Sequence, residues 1–417
     1  MSRLLTICPY DLIPLRGGGA LRSFHLLRQL ARFHEIHAVI FQSEAALRKE
    51  TEGYKVPDNV RIYSPIDTPA PPTLFSRLPT RLGKALHYRW LRRSWAGPAE
   101  GELLKCHHLI RRILDSQQID AVVFEHRGTM KAAPLVRRFC PSAGLVLDAH
   151  NVDHRLLAEE CMQERTRASA PAERKLLARI EWEENHLDRF VNAVWACSEE
   201  DRRALTMYSR IPGNVIPNGV DCSFFGFDAN SSKAQSPFLL FTGAMGTEAN
   251  KDAVVWLIRG LWPQIAVARP ELRLLLVGGG MPASLAEEAC AVPGVEVIGE
   301  VPDVRPYFQK ASIALVPLRI GSGTRLKIME AMAQGNPVVS TSKGAEGLDA
   351  TDGENLLLAN ESGPFVRAVL RLLSDTALFH RLRQAARSFV EHCYDWNVIG
   401  NLANKALEEM LASKTRD

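Results

Sequence analysis

The stretch 321–340 reads GSGTRLKIMEAMAQGNPVVS and carries the local signals of an α/β fold. The apolar run IALVPL at 313–318 predicts a buried strand, and two glycines then open a tight turn. Thr324 can cap a helix that ends at Gly335, and PVVST at 337–341 predicts the next strand. Strand, turn, helix and strand in this order form the unit from which parallel α/β sheets are built.

The same stretch predicts a site for a ligand that carries phosphate and hydroxyl groups. Lys327 and Glu330 are three residues apart, so both lie on one face of the helix near its N-terminus. The N–H groups of the turn and the positive end of the helix dipole favour an anion, and Lys327 adds a full charge. Glu330 can accept hydrogen bonds from hydroxyl groups. The alternative is a solvated helix face, because this spacing is common on surface helices.

Composition indicates a globular protein with more than one domain. The chain has 417 residues, 46% hydrophobic and 24% charged, and this length predicts about two or three domains. The net charge of +4 is too small to indicate nucleic-acid binding. The eight cysteines show no CxxC pair and no zinc-type spacing, which favours reduced thiols. Apolar residues 4–7 predict a strand rather than a signal peptide, and no run could span a membrane, so we expect a cytoplasmic protein.

Strands and helices alternate along the chain, and this alternation favours parallel sheets in α/β layers. The pattern restarts after a polar spacer at 228–236, so we expect two Rossmann-like domains whose parallel sheets face each other across a cleft. We place the N-terminal domain at 1–212 and the C-terminal domain at 213–393. Residues 394–417 are expected to form a helix that packs back toward the N-terminal domain.

A resemblance to a known family rests on segments that occur in a fixed order. The C-terminal half contains FTGAMGTEANKDAVVWL (241–257), LLLVGGG (274–280), VEVIGEVPDVRPYFQKASIALVPL (295–318) and GSGTRLKIMEAMAQGNPVVSTSKGAEGL (321–348). The N-terminal half adds a glycine-rich loop after the first strand, the pair His150–Asn151 and IPNGVD at 216–221. The set resembles the GT-B retaining glycosyltransferases of family 4, which build bacterial exopolysaccharide, capsule and lipopolysaccharide. The resemblance implies an acceptor-binding N-terminal domain and a donor-binding C-terminal domain.

Two positions depart from the family pattern. Family members usually carry a Glu eight residues before the one that Glu330 matches, whereas this chain has Ser322, as in a subgroup with a GSGTRLK loop. The Arg often found after the first strand of the C-terminal domain is missing from GAMGTEANK at 243–251. We therefore expect the positive charge at the donor site to come from other basic residues: Lys327, Arg325 or Lys251.

The resemblance implies a donor site for a nucleotide-sugar. Lys327 and nearby backbone N–H groups would stabilise charge on the leaving diphosphate, and Glu330 would accept hydrogen bonds from ribose or donor hydroxyls. The segment 300–303 would lie beside the nucleobase and read it with backbone groups. The predicted donor-binding residues are Gly17, Gly18, Gly19, Val301, Asp303, Ser322, Gly323, Thr324, Arg325, Lys327 and Glu330.

His150 and Lys327 are the predicted catalytic residues. His150 follows the strand GLVLDA and matches a histidine that the family places near the reacting sugar; the alternative is a buried structural histidine. The resemblance implies a same-side substitution without a catalytic base, and Asp148 and Glu125 are the carboxylates to test. The acceptor-side candidates lie at strand ends or flank the glycine-rich loop: Arg16, Arg22, His126, Arg127 and Asn151.

The expected partners are a nucleotide-sugar donor and a glycan or polyprenyl-lipid-linked acceptor. We expect no cofactor and no metal, because the chain has no DxD pair for a metal-bound diphosphate. The basic segment RLPTRLGKALHYRWLRR at 77–93 predicts peripheral contact with an anionic membrane on its inner face, unless it is an ordinary solvated helix.

Two other functions stay open at this point. A nucleotide-sugar 2-epimerase would share the GT-B fold, and a non-catalytic scaffold subunit would bind the donor without transferring the sugar. Ser322 motivates the scaffold hypothesis, whereas IPNGVD and the GSGTRLK loop favour transfer. Release of an epimer without acceptor would identify the epimerase, and donor binding without turnover would identify the scaffold.

Overall fold

The computed structural model describes residues 1–13, 17–47, 54–68, 100–163, 171–229, 238–321 and 326–414. Several residues singled out above lie outside these ranges: Arg16, Ser322, Gly323, Thr324, Arg325 and the basic segment 77–93. The chain divides into two units, Met1–Ile216 with Gly400–Asp417, and Pro217–Ile399. None of the helices in the described ranges is long and apolar enough to cross a membrane.

The first unit is built on a parallel sheet of seven described strands in the order β3-β2-β1-β4-β5-β6-β7. The chain starts in the middle at β1, runs outward to β3 and returns to β4 beside β1. The carboxyl ends of β1 and β4 therefore form a topological switch point, where this architecture binds ligands. The strands are β1 (Arg3–Cys8), β2 (Glu35–Ile40), β3 (Val60–Tyr63), β4 (Ala121–Glu125), β5 (Gly144–Ala149), β6 (Ala193–Ala196) and β7 (Gly213–Val215).

Helices connect these strands. Ser198 shows how the sequence starts one of them, because its hydroxyl accepts a hydrogen bond from the Asp201 N–H at 3.1 Å and caps the helix that follows. The helices are α1 (Gly18–Leu30), α2 (Glu44–Leu47), α3 (Glu100–Ser116), α4 (Ala133–Phe139), α5 (Asp153–Gln163), α6 (Pro171–Asn185) and α7 (Glu199–Ser209), with 3-10 turns at Arg127–Ala132 and Leu187–Arg189. The strands β4 and β5 are buried along their whole length, as a sheet covered by helices requires.

The second unit contains a parallel sheet of six described strands in the order β10-β9-β8-β11-β12-β13. Its switch point lies between β8 and β11, and ligands prefer such a point in this architecture. The strands are β8 (Phe238–Thr242), β9 (Arg273–Val277), β10 (Val295–Gly299), β11 (Ile313–Val316), β12 (Val338–Ser340) and β13 (Leu357–Leu358).

The helices of the second unit include one interrupted by a π-helical turn. Residues Leu257–Leu261 form that turn, and Pro263, two residues after Leu261, has no N–H to continue a regular α-helix. The helices are α8 (Glu248–Trp256), α9 (Trp262–Ala268), α10 (Ala283–Cys290), α11 (Arg305–Lys310), α12 (Leu326–Ala333), α13 (Ser362–Ser374) and α14 (Thr376–Cys393).

The boundary between the units differs from the one placed at 212. Residues Gly213–Val215 form β7 and pair with β6, so they belong to the first sheet. The segment after Ile216 belongs to the second unit, where Arg387 donates hydrogen bonds to the carbonyls of Cys222 at 2.9 Å and Phe225 at 2.7 Å. The strand β7 was missed because it is short and lacks an apolar pattern.

A final helix, α15 (Trp396–Lys414), enters the first unit at Gly400. Its Asn404 Oδ1 lies 2.6 Å from His34 Nε2. Lys414 Nζ donates a hydrogen bond to the Ala143 carbonyl at 2.6 Å. Met410 covers Gly144 so closely that a Cβ at Gly144 would collide with it. Residues 400–414 are thus part of the packing of the first unit.

Candidate active-site residues in the two units

Three rings meet at the switch point of the first sheet. Tyr10 follows β1, His126 follows β4 and His150 follows β5. Tyr10 stacks on His150 with ring centroids 5.4 Å apart and planes at 16°. His126 stands edge-on to both rings, 6.2 Å from Tyr10 and 6.3 Å from His150. The structure therefore brings two of the predicted residues together and adds Tyr10, which the sequence analysis missed.

A buried group of charged side chains lies next to the His150 ring. Arg22 donates hydrogen bonds to both carboxylate oxygens of Asp148, from Nε at 2.9 Å to Oδ2 and from a terminal nitrogen at 2.5 Å to Oδ1. Arg22 is 1% exposed and Asp148 is fully buried. His150 Nε2 lies 3.4 Å from Asp148 Oδ2 and 3.7 Å from Glu125 Oε2. Glu125 also accepts a hydrogen bond from the Ser23 hydroxyl.

These neighbours decide the charge of His150. Burial on its own raises the pKa of Asp148, but the Arg22 guanidinium outweighs it and holds that pKa below its usual range. Burial acts to lower the pKa of His150, but Asp148 and Glu125 outweigh it and raise that pKa above its usual value. With Asp148 paired to Arg22, a protonated His150 balances the second carboxylate, Glu125. The group thus favours an imidazolium.

Asp148, Glu125 and His150 also offer ligand atoms that lie within 4.8 Å of one another, a spacing that a metal ion could use. Asp148, however, already accepts hydrogen bonds from Arg22 on both oxygens. The guanidinium also puts positive charge where a metal ion would have to bind. These residues fit an internal ion-pair group better than a metal centre.

His126 has a constrained backbone and a fixed ring. Its φ of 73° is in the left-handed region, which costs free energy for a residue with a side chain. Its Nδ1 accepts a hydrogen bond from the Gly128 N–H at 3.2 Å, and its Nε2 lies 3.3 Å from Asp153 Oδ2. Burial acts to raise the pKa of Asp153, but His126 and Arg127 outweigh it and lower that pKa. These contacts hold the His126 ring in one orientation beside Tyr10 and His150.

The two arginines predicted on the acceptor side are placed differently from the expectation. Arg22 is held by Asp148, as described above. Arg127 is 9% exposed and pairs with Asp153, at 2.9 Å from Nε, and with Glu183. Lys131 joins this second group, and burial lowers its pKa to about 8. Both guanidinium groups therefore support the residues at the strand ends instead of facing solvent. Asn151 is half-buried beside His150.

The three glycines predicted for donor binding differ in their local environment. Gly17 has φ of 87°, which L side chains rarely adopt. Gly18 begins α1 and is exposed. Gly19 lies under the Tyr10 ring, since a Cβ there would be 2.9 Å from Tyr10 Cζ. The glycine run thus shapes the turn after β1 and makes room for the ring that stacks on His150.

Lys327 occupies the switch point of the second sheet. Its ammonium lies 4.4 Å from the centroid of the Phe241 ring, at the end of β8. Its Nζ donates a hydrogen bond to Asn250 Oδ1 at 2.6 Å. Gly243 leaves the space for this contact, because a Cβ there would be 2.7 Å from Nζ. The ammonium is half-buried and held at the position where the sequence predicts a phosphate group.

Glu330 is half-buried one turn along α12 from Lys327. Desolvation raises its pKa to about 7, and the nearby Lys327 charge offsets only part of this effect. The packing around Glu330 therefore favours the protonated carboxyl more than water does. The ionised form accepts hydrogen bonds from hydroxyls, as predicted, and the protonated form can also donate one.

Backbone groups join the loops that follow β8, β9 and β10. The Gly278 N–H donates a hydrogen bond to the Gly299 carbonyl at 2.7 Å, and the Gly243 N–H to the Val277 carbonyl at 3.1 Å. A Cβ at Gly278 would collide with the Gly243 carbonyl. Gly278, in the GGG run at 278–280, therefore has a packing role that its sequence did not predict.

Of the residues predicted beside the nucleobase, Val301 packs against the core of the second unit. Asp303 accepts hydrogen bonds from the Arg305 backbone N–H at 2.9 Å and from its Nε at 3.0 Å. The hydrogen bond from the Arg305 side chain and the positive charge of Arg305 lower the pKa of Asp303. Both side chains are engaged within their own unit, and nucleobase recognition by backbone groups of this segment stays a prediction.

Comparison with known proteins identifies the class. The family model described as Glycosyltransferase Family 4 matches residues 16–224, half of the chain, and the model described as Glycosyl transferases group 1 matches residues 236–375. The chain belongs to glycosyltransferase family 4. The predicted two-domain α/β GT-B fold, with two parallel sheets, is confirmed.

Three individual proteins illustrate the similarity. The phosphatidyl-myo-inositol mannosyltransferase of Mycobacterium leprae is 28% identical over 213 residues, 48% of this chain and 54% of that protein. The lipopolysaccharide 1,2-N-acetylglucosaminetransferase of Salmonella typhimurium is 22% identical over 224 residues, 47% of this chain and 56% of that protein. The chain spans about half the length of these curated relatives. A crystal structure of Anabaena HepE with UDP and glucose is 14% identical, with a TM-score of 0.67, covering 98% of this chain and 100% of that one.

Proposed function

We propose that this protein is a retaining, metal-independent glycosyltransferase. It would move a sugar from a nucleotide-sugar donor to a glycan or lipid-linked acceptor in the synthesis of bacterial surface polysaccharide. Membership of family 4 supports transfer, and the names of the mycobacterial and Salmonella relatives support a glycan or lipid acceptor. The UDP in the Anabaena structure supports a nucleotide donor.

The observation that carries the proposal is the placement of Lys327. Its ammonium is fixed at the switch point of the second sheet, between the Phe241 ring and Asn250. A preorganised cation at this position would stabilise the negative charge that develops on the leaving diphosphate. Glu330, one turn away, would contact donor hydroxyls. In the first unit, His150 is the residue proposed to contact the transferred sugar, and its raised pKa would let it stabilise an anion as well.

A thermal-shift screen with UDP-, GDP-, ADP- and dTDP-sugars, with and without EDTA, tests donor binding and metal independence together. A ligand that binds only the folded chain raises the melting temperature by mass action. We expect one nucleotide to stabilise the chain equally in both conditions. Stabilisation that disappears with EDTA would contradict metal independence, and no shift at millimolar concentration would contradict the donor site.

Product analysis then separates transfer from the alternative functions. The stabilising donor is incubated with and without candidate acceptors, including polyprenyl-diphosphate glycans, and the products are identified by mass spectrometry and NMR. An α-configured product from an α-linked donor would support retention, and the opposite anomer would contradict it. An epimer formed without acceptor would identify an epimerase, whereas bound donor that is neither transferred nor hydrolysed would identify a scaffold.

A further inference from the structure

Asn250 has a contact that its position on α8 would not predict. It lies near the N-terminus of α8 in the second unit, 77 residues before Lys327 in the sequence. Its Oδ1 accepts the hydrogen bond from Lys327 Nζ at 2.6 Å, and its Nδ2 donates one to the Ala244 carbonyl at 2.8 Å. The second bond fixes the amide, because a flipped side chain would turn its NH2 group toward the ammonium.

We propose that Asn250 is a positioning residue that presents the Lys327 ammonium to the diphosphate of the donor. The inference rests on the proposed function for its ligand, but the contact itself belongs to this chain. A lysine side chain has four rotatable bonds, so a free ammonium would lose much conformational freedom when a phosphate binds. Asn250 imposes that loss during folding, and the ammonium is already in place when the donor arrives.

An amide at this position orients Lys327 without adding a negative charge beside it. A carboxylate at this position would form an ion pair and neutralise the ammonium, as Glu248 does for Lys251 on the same helix. The neutral oxygen of Asn250 orients the ammonium without cancelling its charge. The Phe241 ring acts in the same way from another side, since it attracts a cation through its face without carrying a charge.

Gly243 completes the arrangement. A Cβ at this residue would lie 2.7 Å from Lys327 Nζ and 2.9 Å from Asn250 Nδ2, closer than such atoms approach in real structures. The turn after β8 therefore accommodates the Asn250–Lys327 pair because it has no side chain there. A helix residue, a turn glycine and a ring at a strand end together set the position of one ammonium.

A double-mutant cycle on the full chain tests the proposal. The Kd for UDP, read by calorimetry, is compared in the parent, Asn250→Ala, Lys327→Met and the double variant. We expect Asn250→Ala to weaken UDP binding about tenfold, the size of one hydrogen bond to a charged group, and to have no further effect once Lys327 is Met. Additive losses in the double variant would overturn the proposal.

Thr247→Ala is the matched structural control. Thr247 caps α8 and accepts a hydrogen bond from the Asn250 backbone N–H at 3.4 Å, so its loss weakens the same helix end without removing the side-chain contact. Thr247→Ala should lower the melting temperature and leave UDP binding within about twofold of the parent. An equal loss of UDP binding in Thr247→Ala and Asn250→Ala would overturn the positioning role.

A second readout needs no nucleotide. The rate at which a small amine-reactive ester acetylates Lys327 is followed by peptide mass spectrometry in the parent and in both single variants at Asn250 and Thr247. We expect faster acetylation in Asn250→Ala only, and equal rates in all three would overturn the proposal. The parent chain could also bind none of UDP, GDP, ADP and dTDP while Asn250→Ala still acetylates faster. That result would support the positioning of Lys327 by Asn250 and overturn the assignment of Lys327 to a donor site.

Discussion

Arg22 and Asp148 form a buried ion pair between α1 and β5, and Arg22 donates hydrogen bonds to both oxygens of the Asp148 carboxylate, the shortest of them at 2.5 Å. The pair links α1, the helix that begins at the glycine run, to β5, the strand that precedes His150. It also fixes the negative charge of Asp148, so that the charge of Glu125 is left for His150 to balance.

Removing one partner of this pair should strongly destabilise the chain. We expect Arg22→Met to lower the free energy of unfolding by about 3–5 kcal/mol, because it leaves a buried carboxylate without its counter-ion. Urea denaturation followed by circular dichroism gives the value. Arg259→Met is the control, since Arg259 pairs with Glu288 on the surface, and we expect it to change the free energy of unfolding much less than Arg22→Met does. Equal losses in the two variants would contradict the role of burial.

The titration of His150 should depend on Glu125. We expect Glu125→Gln to lower the pKa of His150, because it removes one of the two carboxylates that raise it. Histidine NMR over a pH series measures this, with the signal assigned from His150→Gln. Glu183→Gln belongs to the separate group around Arg127 and should leave the His150 titration unchanged. An unaltered titration in Glu125→Gln would rule out this account.

The same shift predicts a pH dependence of stability. Since the folded chain holds the proton of His150 more tightly, the contribution of protonated His150 is fully present below about pH 6.5 and is lost as the pH rises through its raised pKa. The difference in unfolding free energy between the parent and His150→Gln should therefore shrink as the pH rises. A difference that grows between pH 6 and 9 would contradict the sign.

Glu330 should produce a pH effect in the second unit. Its folded pKa of about 7 is above its unfolded value, so the folded chain binds the proton more tightly and loses stability as the pH rises from about 4.5 to 7. Glu330→Gln should remove this loss, which is at most about 3 kcal/mol by linkage, and weaken donor binding above pH 7. Denaturation and donor titration at pH 5 and 8 measure both effects. A Glu330→Gln chain with parent stability at pH 8 would refute the buried-carboxyl account.

Gly19 should be sensitive to Tyr10. We expect Gly19→Ala to lower the unfolding free energy by about 1–3 kcal/mol, because its methyl group would displace the Tyr10 ring from His150. In a Tyr10→Ala background the same change should be neutral or slightly stabilising, since alanine favours the helix. Thermal unfolding of the parent, the two single variants and the double variant gives the coupling free energy between Gly19 and Tyr10. Equal effects in the two backgrounds would show that the ring is not the obstacle.

Lys327 should matter for turnover more than for folding. Lys327→Ala is expected to reduce kcat on the order of a hundredfold, by analogy with the loss of a donor to a developing oxyanion. Steady-state kinetics with the donor found in the screen measure this. Lys310, exposed at the C-terminal end of α11, is the control, and Lys310→Ala should keep the parent kcat. A fully active Lys327→Ala chain would remove Lys327 from the phosphate role.

Local sequence patterns were enough to predict the secondary structure around the candidate residues, whose roles stay predictions. Lys327 and Glu330 follow from a strand, a glycine turn and a helix, and His150 follows from its place directly after an apolar strand. Parallel topology puts such positions near the carboxyl ends of the strands, and in the structure His150 directly follows β5, while Lys327 and Glu330 lie in α12, the helix between β11 and β12.

Other roles depend on residues that are distant in sequence and could not be read from it. Arg22 meets its partner 126 positions later, and Asn250 meets Lys327 after 77 positions. Neither contact has a local signature, so Arg22 was predicted to face the acceptor and Asn250 was not singled out. The raised pKa of Glu330 likewise comes from desolvation, which is a property of the folded packing and not of the motif.

The return of α15 to the first unit has a consequence for how the chain is made. Gln29 and Gly144 leave the ribosome long before Gly400 and Met410, the residues that pack on them. The surface around Gln29 and Gly144 is therefore uncovered until the second unit has been translated, and apolar surface exposed at such a stage favours chaperone binding and aggregation. An isolated 1–216 fragment would lack this cover permanently, so we expect it to aggregate unless 400–414 is supplied as a separate peptide.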